Sequence, residues 1–365
     1  MTKLHHLIYL TLLFLLLPKT HCTDYISGPI ADFYINVTFP GWKHNERSFI
    51  IDTRYEKDFI WDEKSYSNQV GYDNTYNPDE SNTHESQFLF KDQVYIDGQW
   101  CRLTGRQGTD YLSLLPYKNV NWLIGSIETS SCGTKPTNAF NNELRAGVMG
   151  FINNREYNRD SMGYRLVKDF QNPELCLHKT TRDDRQADTV VAVGATLSED
   201  RVITSVRSES ERRIWSLILD NVVFNNTEVE TGRIRAIIDP SYRNIDIPTK
   251  QFDQILRILK PEHDEIGDEY YVDCWQQFEL QYTINNSTVT VPSSSLMQKV
   301  RKFGKDCHLL LSPTKNALRL GVPFFFDNGV CLKFNWEGRI TFYDASFIGN
   351  STVFGDTFGA YYRSY

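Results

Sequence analysis

Short apolar runs separated by polar turns recur along almost the whole sequence. Each run is roughly four to eight residues long, which is typical of a buried or half-buried β-strand. Two other segments, 161–170 and 249–259, show helical spacing, and the second begins with a candidate Thr cap after Pro248. The pattern therefore predicts a mostly β fold with few helices. The clearest strand candidates cover residues 33–39, 49–52, 190–193, 214–219, 236–239, 278–284 and 338–343.

Length and charge narrow the class of protein. The chain has 365 residues, a formal net charge of -7, 40% hydrophobic residues and 23% charged residues. This composition excludes a disordered chain, a collagen and a polybasic nucleic-acid binder. Because a single core rarely grows to this length, two domains or two lobes around a cleft are expected. The charged segment 182–188 is the best candidate for their connection.

The N-terminus predicts export from the cytoplasm. Lys3 precedes an apolar core at 7–17, Pro18 ends that core, and a short polar segment reaches Cys22. These features are typical of a signal peptide over residues 1–22. A membrane anchor is the alternative, but the apolar run is too short to span a bilayer, and no later segment is long and apolar enough. A secreted protein is expected, extracellular or in the lumen of the secretory or endolysosomal pathway.

Sequons and cysteines are consistent with an oxidising compartment. Sequons for N-glycosylation occur at Asn36, Asn225, Asn285, Asn286 and Asn350. No C-x-x-C or H-x-x-x-H pair is present, so no metal and no other cofactor is expected. Without Cys22, an even number of cysteines remains, which predicts three disulfides. They are Cys101, Cys132, Cys176, Cys274, Cys307 and Cys331.

A weak internal repeat singles out two aspartates. Residues 50–55 read Ile-Ile-Asp-Thr-Arg-Tyr, and residues 237–242 read Ile-Ile-Asp-Pro-Ser-Tyr. Asp52 and Asp239 each end a short apolar strand and enter a turn. Chance similarity is one interpretation of the repeat; the other is two similar lobes that each present one carboxylate to a cleft.

Two carboxylates that meet across a cleft have a specific chemistry. Like charges a few ångströms apart cannot both ionise easily, so such a pair shares a proton. The ionised member then acts as a general base on a bound water, and the protonated member polarises a carbonyl. This arrangement hydrolyses peptide bonds without a covalent intermediate.

Further motifs occur in a fixed order along nearly the whole mature chain. A hairpin segment contains Tyr95, Gly98, Gly105, Gly108 and Asp110, which match a flap followed by Gly-x-x-Gly-x-Asp. In their order and spacing, these segments resemble the pepsin-like aspartic peptidases, whose lobes each supply an apolar-apolar-D-T-G-[ST] turn. The segments that carry the resemblance are 32–61, 95–114, 124–151, 215–222 and 319–343.

The resemblance implies a bilobed fold with two β-barrel-like lobes, an N-terminal one with a flap at 23–186 and a C-terminal one at 187–365. It implies that Asp52 and Asp239 form the catalytic dyad, with Thr53 and the flap residue Tyr95 beside the cleft. It also implies a Cys274–Cys307 disulfide. The pairing of the other four cysteines stays open, with Cys101–Cys132 and Cys176–Cys331 as one feasible arrangement.

The departures from this family concern the active-site turns. Arg54 and Ser241 replace glycines, Pro240 replaces a threonine, and Tyr55 and Tyr242 replace small hydroxyl residues. Side chains at glycine positions crowd the carboxylates, and Arg54 places a positive charge beside them, which opposes a shared proton. Proline has neither a hydroxyl nor an N–H group with which to lock the two turns together.

Three functions are compatible with these residues. The favoured one is a pseudo-peptidase with little or no proteolytic activity that keeps the cleft for a peptide or protein ligand. The second is an active aspartic endopeptidase that uses Asp52 and Asp239 at acid pH. The third is a structural glycoprotein with a collapsed cleft. A monomer without a membrane span and without a nucleic-acid partner is expected.

Overall fold

A computed structural model gives the structure of the chain. It describes residues 33–39, 46–70, 75–96, 99–114, 117–131, 146–153, 172–181, 187–209, 214–299, 306–326, 328–335, 337–346 and 360–364. The strands are β1 Tyr34–Thr38, β2 Glu46–Asp52, β3 Phe59–Trp61, β4 Glu85–Ile96, β5 Gln99–Leu114, β6 Tyr117–Ser130, β7 Gly147–Gly150, β8 Glu174–Thr181, β9 Ala187–Val193, β10 Val202–Arg207, β11 Ser216–Phe224, β12 Thr227–Ile238, β13 Ile245–Pro248, β14 Glu262–Asp264, β15 Glu269–Asp273, β16 Glu279–Ile284, β17 Ser287–Pro292, β18 Met297–Lys299, β19 Asp306–Leu309, β20 Leu311–Thr314, β21 Leu318–Leu320, β22 Asn328–Lys333, β23 Arg339–Asp344 and β24 Ala360–Ser364. The helices are α1 Glu63–Val70, α2 Thr249–Leu259 and α3 Ser293–Leu296, and 3₁₀ turns cover Pro78–Glu80, Glu199–Arg201 and Val322–Phe325.

The N-terminal strands form a seven-stranded sheet in the order β1-β2-β7-β3-β6-β5-β4. One further pair, Thr38 with Ser113, joins β1 to β5 and curls the sheet back on itself. Alternate residues of the strands point inward, as the apolar pattern predicts. Phe49, Ile51 and Trp122 are among the side chains that are fully buried there.

A six-stranded sheet combines strands from distant parts of the chain, in the order β10-β23-β22-β8-β9-β24. Cys176 on β8 lies directly opposite Cys331 on β22, and the two are joined in a disulfide. The predicted lobe boundary, between residues 186 and 187, falls between the antiparallel strands β8 and β9. Because residues 182–186 are outside the described part, that boundary stays a prediction.

The C-terminal strands form a second seven-stranded sheet, β17-β16-β11-β12-β21-β13-β20, and a small four-stranded sheet, β14-β15-β19-β18. The Cys274–Cys307 disulfide ties the small sheet to the adjoining turn. The mostly β fold expected from the sequence is confirmed, with several sheets and few helices in the described residues.

Helix α2 has the bounds that its apolar spacing predicts, Thr249–Leu259, and buries Phe252 and Ile255. The expectation that Thr249 caps it is wrong. Pro248 occupies the cap position, and the Thr249 hydroxyl instead donates to the carbonyl of Thr314 on β20. The other predicted helix, 161–170, lies outside the described residues. No helix in the described ranges is long and apolar enough to cross a membrane.

The two seven-stranded sheets contain the same four-strand arrangement. In the first, β2 pairs in parallel with β7, β7 pairs antiparallel with β3, and β3 pairs in parallel with β6. In the second, β12, β21, β13 and β20 pair with the same relative directions. The two aspartates of the sequence repeat lie at equivalent points, at the ends of β2 and β12. The sequence repeat therefore corresponds to a repeated arrangement of four strands in the two sheets.

Candidate functional site

The first aspartate enters its turn where two parallel strands end together. Asp52 is the last residue of β2, and its carbonyl accepts a hydrogen bond from the Phe151 N–H just after β7. Gly150 lies beside it, and a side chain there would meet the Tyr55 carbonyl at 2.5 Å. Gly150 is therefore needed for the turn to pass this close to β7.

The second aspartate occupies the equivalent place. Asp239 follows β12, and its N–H donates to the Leu320 carbonyl at the end of β21. The next residue, Gly321, has the same role as Gly150, because a side chain there would meet the Asn244 carbonyl at 2.0 Å. Both turns thus have the same backbone frame, although their sequences differ at the chemical positions.

The guanidinium of Arg54 lies between the two carboxylates. Its Nη2 is 3.3 Å from Asp52 Oδ2, and its Nη1 is 3.1 Å from Asp239 Oδ2. Nη2 also donates to Ser241 Oγ at 3.3 Å, and the Arg54 backbone N–H donates to Asp52 Oδ1 at 2.8 Å. The structure thus brings both sequence-predicted aspartates to one cation, which links the two seven-stranded sheets.

Electrostatics favours the charged form of Arg54. Burial lowers the pKa of the guanidinium, but the charges of Asp239 and Asp52 outweigh this effect, so its pKa is raised above the ordinary value. Asp239 is fully buried, and the side chains of Asp52 and Arg54 are mostly buried. Removal of the cation would therefore leave a buried carboxylate without its nearest counter-charge.

Asp239 has two further neighbours. The Ser241 hydroxyl donates to its Oδ1 at 2.7 Å. Its Oδ2 lies 3.6 Å from Arg319 Nε, in addition to the contact with Arg54. Neither guanidinium contact has hydrogen-bond geometry, so ion pairing holds this oxygen. The sequence identifies Ser241 only as a larger residue at a glycine position, whereas in the structure its hydroxyl is a hydrogen-bond donor to the Asp239 carboxylate.

Arg319 belongs to a charged cluster that sequence reasoning missed. Its Nε also lies 3.6 Å from Asp246 Oδ2, and its guanidinium stacks over the Tyr242 ring at 4.2 Å. Burial raises the pKa of Asp246, which Arg319 only partly offsets, and burial together with Asp246 raises the pKa of Tyr242. The only signal in the sequence was two charges within short apolar strands, β13 and β21.

Half of the expected lock between the turns is present. The hydroxyl of Thr53 is buried and donates to the Ile238 carbonyl of the other turn at 2.7 Å. Pro240 is also buried, and it has no hydroxyl or N–H with which to return the bond. The two turns are therefore joined by one Thr hydrogen bond and by Arg54.

Tyr55 points away from the carboxylate pair. Its hydroxyl donates to Asp92 Oδ2 on β4 at 3.0 Å, and Lys57 Nζ lies 2.9 Å from the same oxygen. Burial raises the pKa of Tyr55, and the Asp92 charge adds to the effect. The large side chain at this small-residue position thus contacts the β4–β5 hairpin at Asp92.

The segment predicted to be the flap lies in the β4–β5 strand pair. Tyr95 on β4 lies opposite Trp100 on β5. The side chains of both residues are outside the described part, so the role of Tyr95 stays a prediction.

The other predicted sites are placed in part. Asn225, Asn285 and Asn286 lie at exposed hairpin tips with positive φ, and their modification stays a prediction. Asn36 lies on β1, but its side chain is outside the described part, as is Asn350. Cys101 is disulfide-bonded, while Cys132 is outside the described residues. In the described ranges, one acid and cysteine group has metal-site spacing, Glu174 with Cys176 and Cys331. The two cysteines are bonded to each other, so they are not available to a metal.

Comparison with known families agrees with the frame of the site. Residues 192–337 match the family model described as eukaryotic aspartyl protease. This match covers less than half of the chain, and it supports a relationship to the pepsin-like aspartic peptidase family over those residues. The family resemblance expected from the sequence is therefore supported over residues 192–337, and the mostly β, multi-sheet structure is consistent with the expected pepsin-like fold. A search of curated proteins finds no match.

Proposed function

We propose that this pepsin-family protein is secreted, has little or no proteolytic activity, and keeps its cleft as a binding site for a peptide or protein. The observation that carries the proposal is the position of Arg54, whose guanidinium contacts both Asp52 and Asp239. Its single positive charge is shared between the two carboxylates.

Peptide hydrolysis by a carboxylate pair needs one proton shared between the two groups and one water held by both. Arg54 opposes the shared proton because a nearby cation stabilises two ionised carboxylates. Its nitrogen atoms also lie against Oδ2 of both carboxylates, as a hydrogen-bond donor to Asp52 and as an ion-pair partner of Asp239, where they compete with a bound water. Both effects reduce the activity through the same side chain.

The turns themselves support the same conclusion. A working pair must hold its reacting groups to well under an ångström, and a supporting shell of hydrogen bonds provides that precision. Here only Thr53 supplies a hydroxyl bond between the turns, at 2.7 Å to the Ile238 carbonyl. Pro240 leaves the reciprocal bond unmade.

One observation favours the alternative, an active aspartic endopeptidase. Asp52 and Asp239 lie at equivalent ends of equivalent strands and meet at one group. Displacement of Arg54 by a substrate would leave the two carboxylates with the frame that such catalysis uses. In that case activity would appear at acid pH and depend on both residues.

Cleavage of denatured globin at acid pH separates these functions. The purified wild type is expected to cleave it weakly or not at all. A triple variant, Arg54→Gly with Pro240→Thr and Ser241→Gly, is expected to gain activity. The matched control adds Asp239→Asn to the triple variant and should lose that gain.

Efficient cleavage by the wild type would contradict the proposal, provided that a statine-type inhibitor blocks it and Asp239→Asn abolishes it. Retention of the globin peptides by the immobilised wild type tests the binding role separately. Absence of retention from both wild type and triple variant would favour a collapsed cleft.

A further inference from the structure

In the part of the chain that the structure describes, the N-terminal sheet ends in a long strand that has a partner on one side only. In the described ranges, β4 is the last strand of its sheet and pairs only with β5. Its residues 85–89 are all exposed. An unpaired strand edge presents a row of backbone N–H and C=O groups that can pair with another chain.

This edge also carries the largest adjacent pair of exposed apolar side chains in the described residues. Phe88 is 70% exposed and Leu89 is 63% exposed. Natural edge strands are usually protected by charges or proline at their centre. Here the centre is apolar, and the charges flank it.

Those flanking charges are placed symmetrically. Glu85 lies three residues before Phe88, and Lys91 lies three residues after it. Both are exposed, and within the described part of the chain neither takes part in an ion pair. An antiparallel pairing centred on Phe88 therefore places Glu85 of each copy opposite Lys91 of the other.

We propose that β4 is a self-association surface, on which a second copy of this chain adds its own β4 in antiparallel register with Phe88 opposite Phe88. Because the pairing has two-fold symmetry, the Glu85–Lys91 contact occurs twice in the dimer. The neighbouring registers, with Phe88 or Leu89 opposite Leu89, place Glu85 opposite Asp92 or Gln93 instead of Lys91, so the charge pattern favours this one. Directly opposite charges on paired strands attract, and like charges repel.

The association is weak. The register of β4 with β5 shifts between Ser86 and Phe88, which marks a bulge at Gln87. A bulge increases the local twist and shortens the length over which two edges can pair. We therefore expect a dissociation constant in roughly the micromolar range. At concentrations above it, the dimer replaces the monomer expected from the sequence.

Sedimentation velocity of the full secreted chain over a range of concentrations tests this proposal by charge exchange. Glu85→Lys alone and Lys91→Glu alone each create two like-charge contacts and should weaken the dimer by roughly 30-fold. An equimolar mixture of the two single variants should form a heterodimer with every contact favourable. The double variant Glu85→Lys with Lys91→Glu should associate as the wild type does.

Two apolar substitutions complete the design. Phe88→Lys should abolish the dimer, because it places two cations at the centre of the interface. Ile266→Lys is the control, since Ile266 is 99% exposed on the separate β14–β15 turn; it should change nothing. Circular dichroism checks that each variant is folded.

A wild type that stays monomeric at about 100 µM overturns the proposal. So does a dimer that is insensitive to Phe88→Lys, and so does a mixture of the single variants that fails to recover association. Recovery in the mixture and in the double variant supports both the surface and its register.

Discussion

The contact between Arg54 and Asp239 should be among the strongest single links between the two sheets. We expect a double-mutant cycle of Arg54→Met and Asp239→Asn to give a favourable coupling of about 2–3 kcal/mol in the free energy of unfolding. Both replacements keep most of the side-chain volume, so the cycle reports mainly the charge interaction.

The magnitude follows from the geometry. At 3.1 Å between Arg54 Nη1 and Asp239 Oδ2, two unit charges attract by about 5 kcal/mol at an effective dielectric constant of about 20. Arg54 has 24% of its side chain exposed, while Asp239 has none. Water on the arginine side screens part of the attraction, which reduces the expected coupling to about half.

Urea unfolding of the wild type, both single variants and the double variant gives the coupling directly. The same cycle between Arg54 and Asp52 is the internal control. We expect about 1 kcal/mol there, because Asp52 is more exposed and the pair lies within one turn. A buried pair is also poorly screened, so the Asp239 coupling should persist in about 0.5 M salt.

A coupling below about 0.5 kcal/mol for Arg54 and Asp239 would refute this reasoning. It would mean that Arg319 and Ser241 satisfy the carboxylate without Arg54. A coupling energy with Asp52 larger than that with Asp239 would mean that Arg54 interacts mainly within its own turn. Arg54 would then not be a major link between the two sheets.

Three further stability measurements test individual interactions of the fold. Thr53→Val should cost about 1–2 kcal/mol of stability by chemical unfolding because it leaves the Ile238 carbonyl without its donor, whereas Thr53→Ser should keep the bond and cost less. Loss of the Cys176–Cys331 disulfide, which spans 155 residues, should lower the free energy of unfolding by about 5 kcal/mol. Loss of the Cys274–Cys307 disulfide, which spans 33 residues, should lower it by about 4 kcal/mol. The reverse order in cysteine-to-serine variants would contradict the loop-length argument. Burial lowers the pKa of His308, so the unfolded chain takes up this proton more readily and the free energy of unfolding falls as pH drops below about 6.5. The variant His308→Asn should therefore gain stability relative to the wild type between about pH 7 and about pH 5. A stability difference between the two proteins that does not change with pH would contradict this.

The sequence predicted the frame well because the frame depends on local patterns. Apolar alternation located β1 and β2, and helical spacing gave the bounds of α2 to the residue. The repeat at Asp52 and Asp239 pointed to equivalent turns because each turn follows a short buried strand. Such features need only neighbouring residues to be recognised.

The charged cluster was less predictable because its members are distant in sequence. Arg319 meets Asp239 and Asp246 only after β21 inserts between β12 and β13. The direction of Tyr55 depends on Asp92 of another hairpin. A single sequence does not reveal such pairings, since each partner alone is an ordinary polar residue.

The charged and hydroxyl side chains around the two aspartates form a consistent set. Arg54 is paired with both carboxylates, Ser241 is hydrogen-bonded to Asp239, and Arg319 joins Asp239 to Asp246. Random loss of an active site would leave buried charges without partners, which is costly. Here Arg54 and Ser241 both contact the carboxylates, so the site is an ionic cluster with its own partners. Arg54→Gly alone would leave the Ser241 hydroxyl on Asp239 and Pro240 without a hydroxyl or N–H for the second bond between the turns. Restoration of activity therefore requires changes on both turns together.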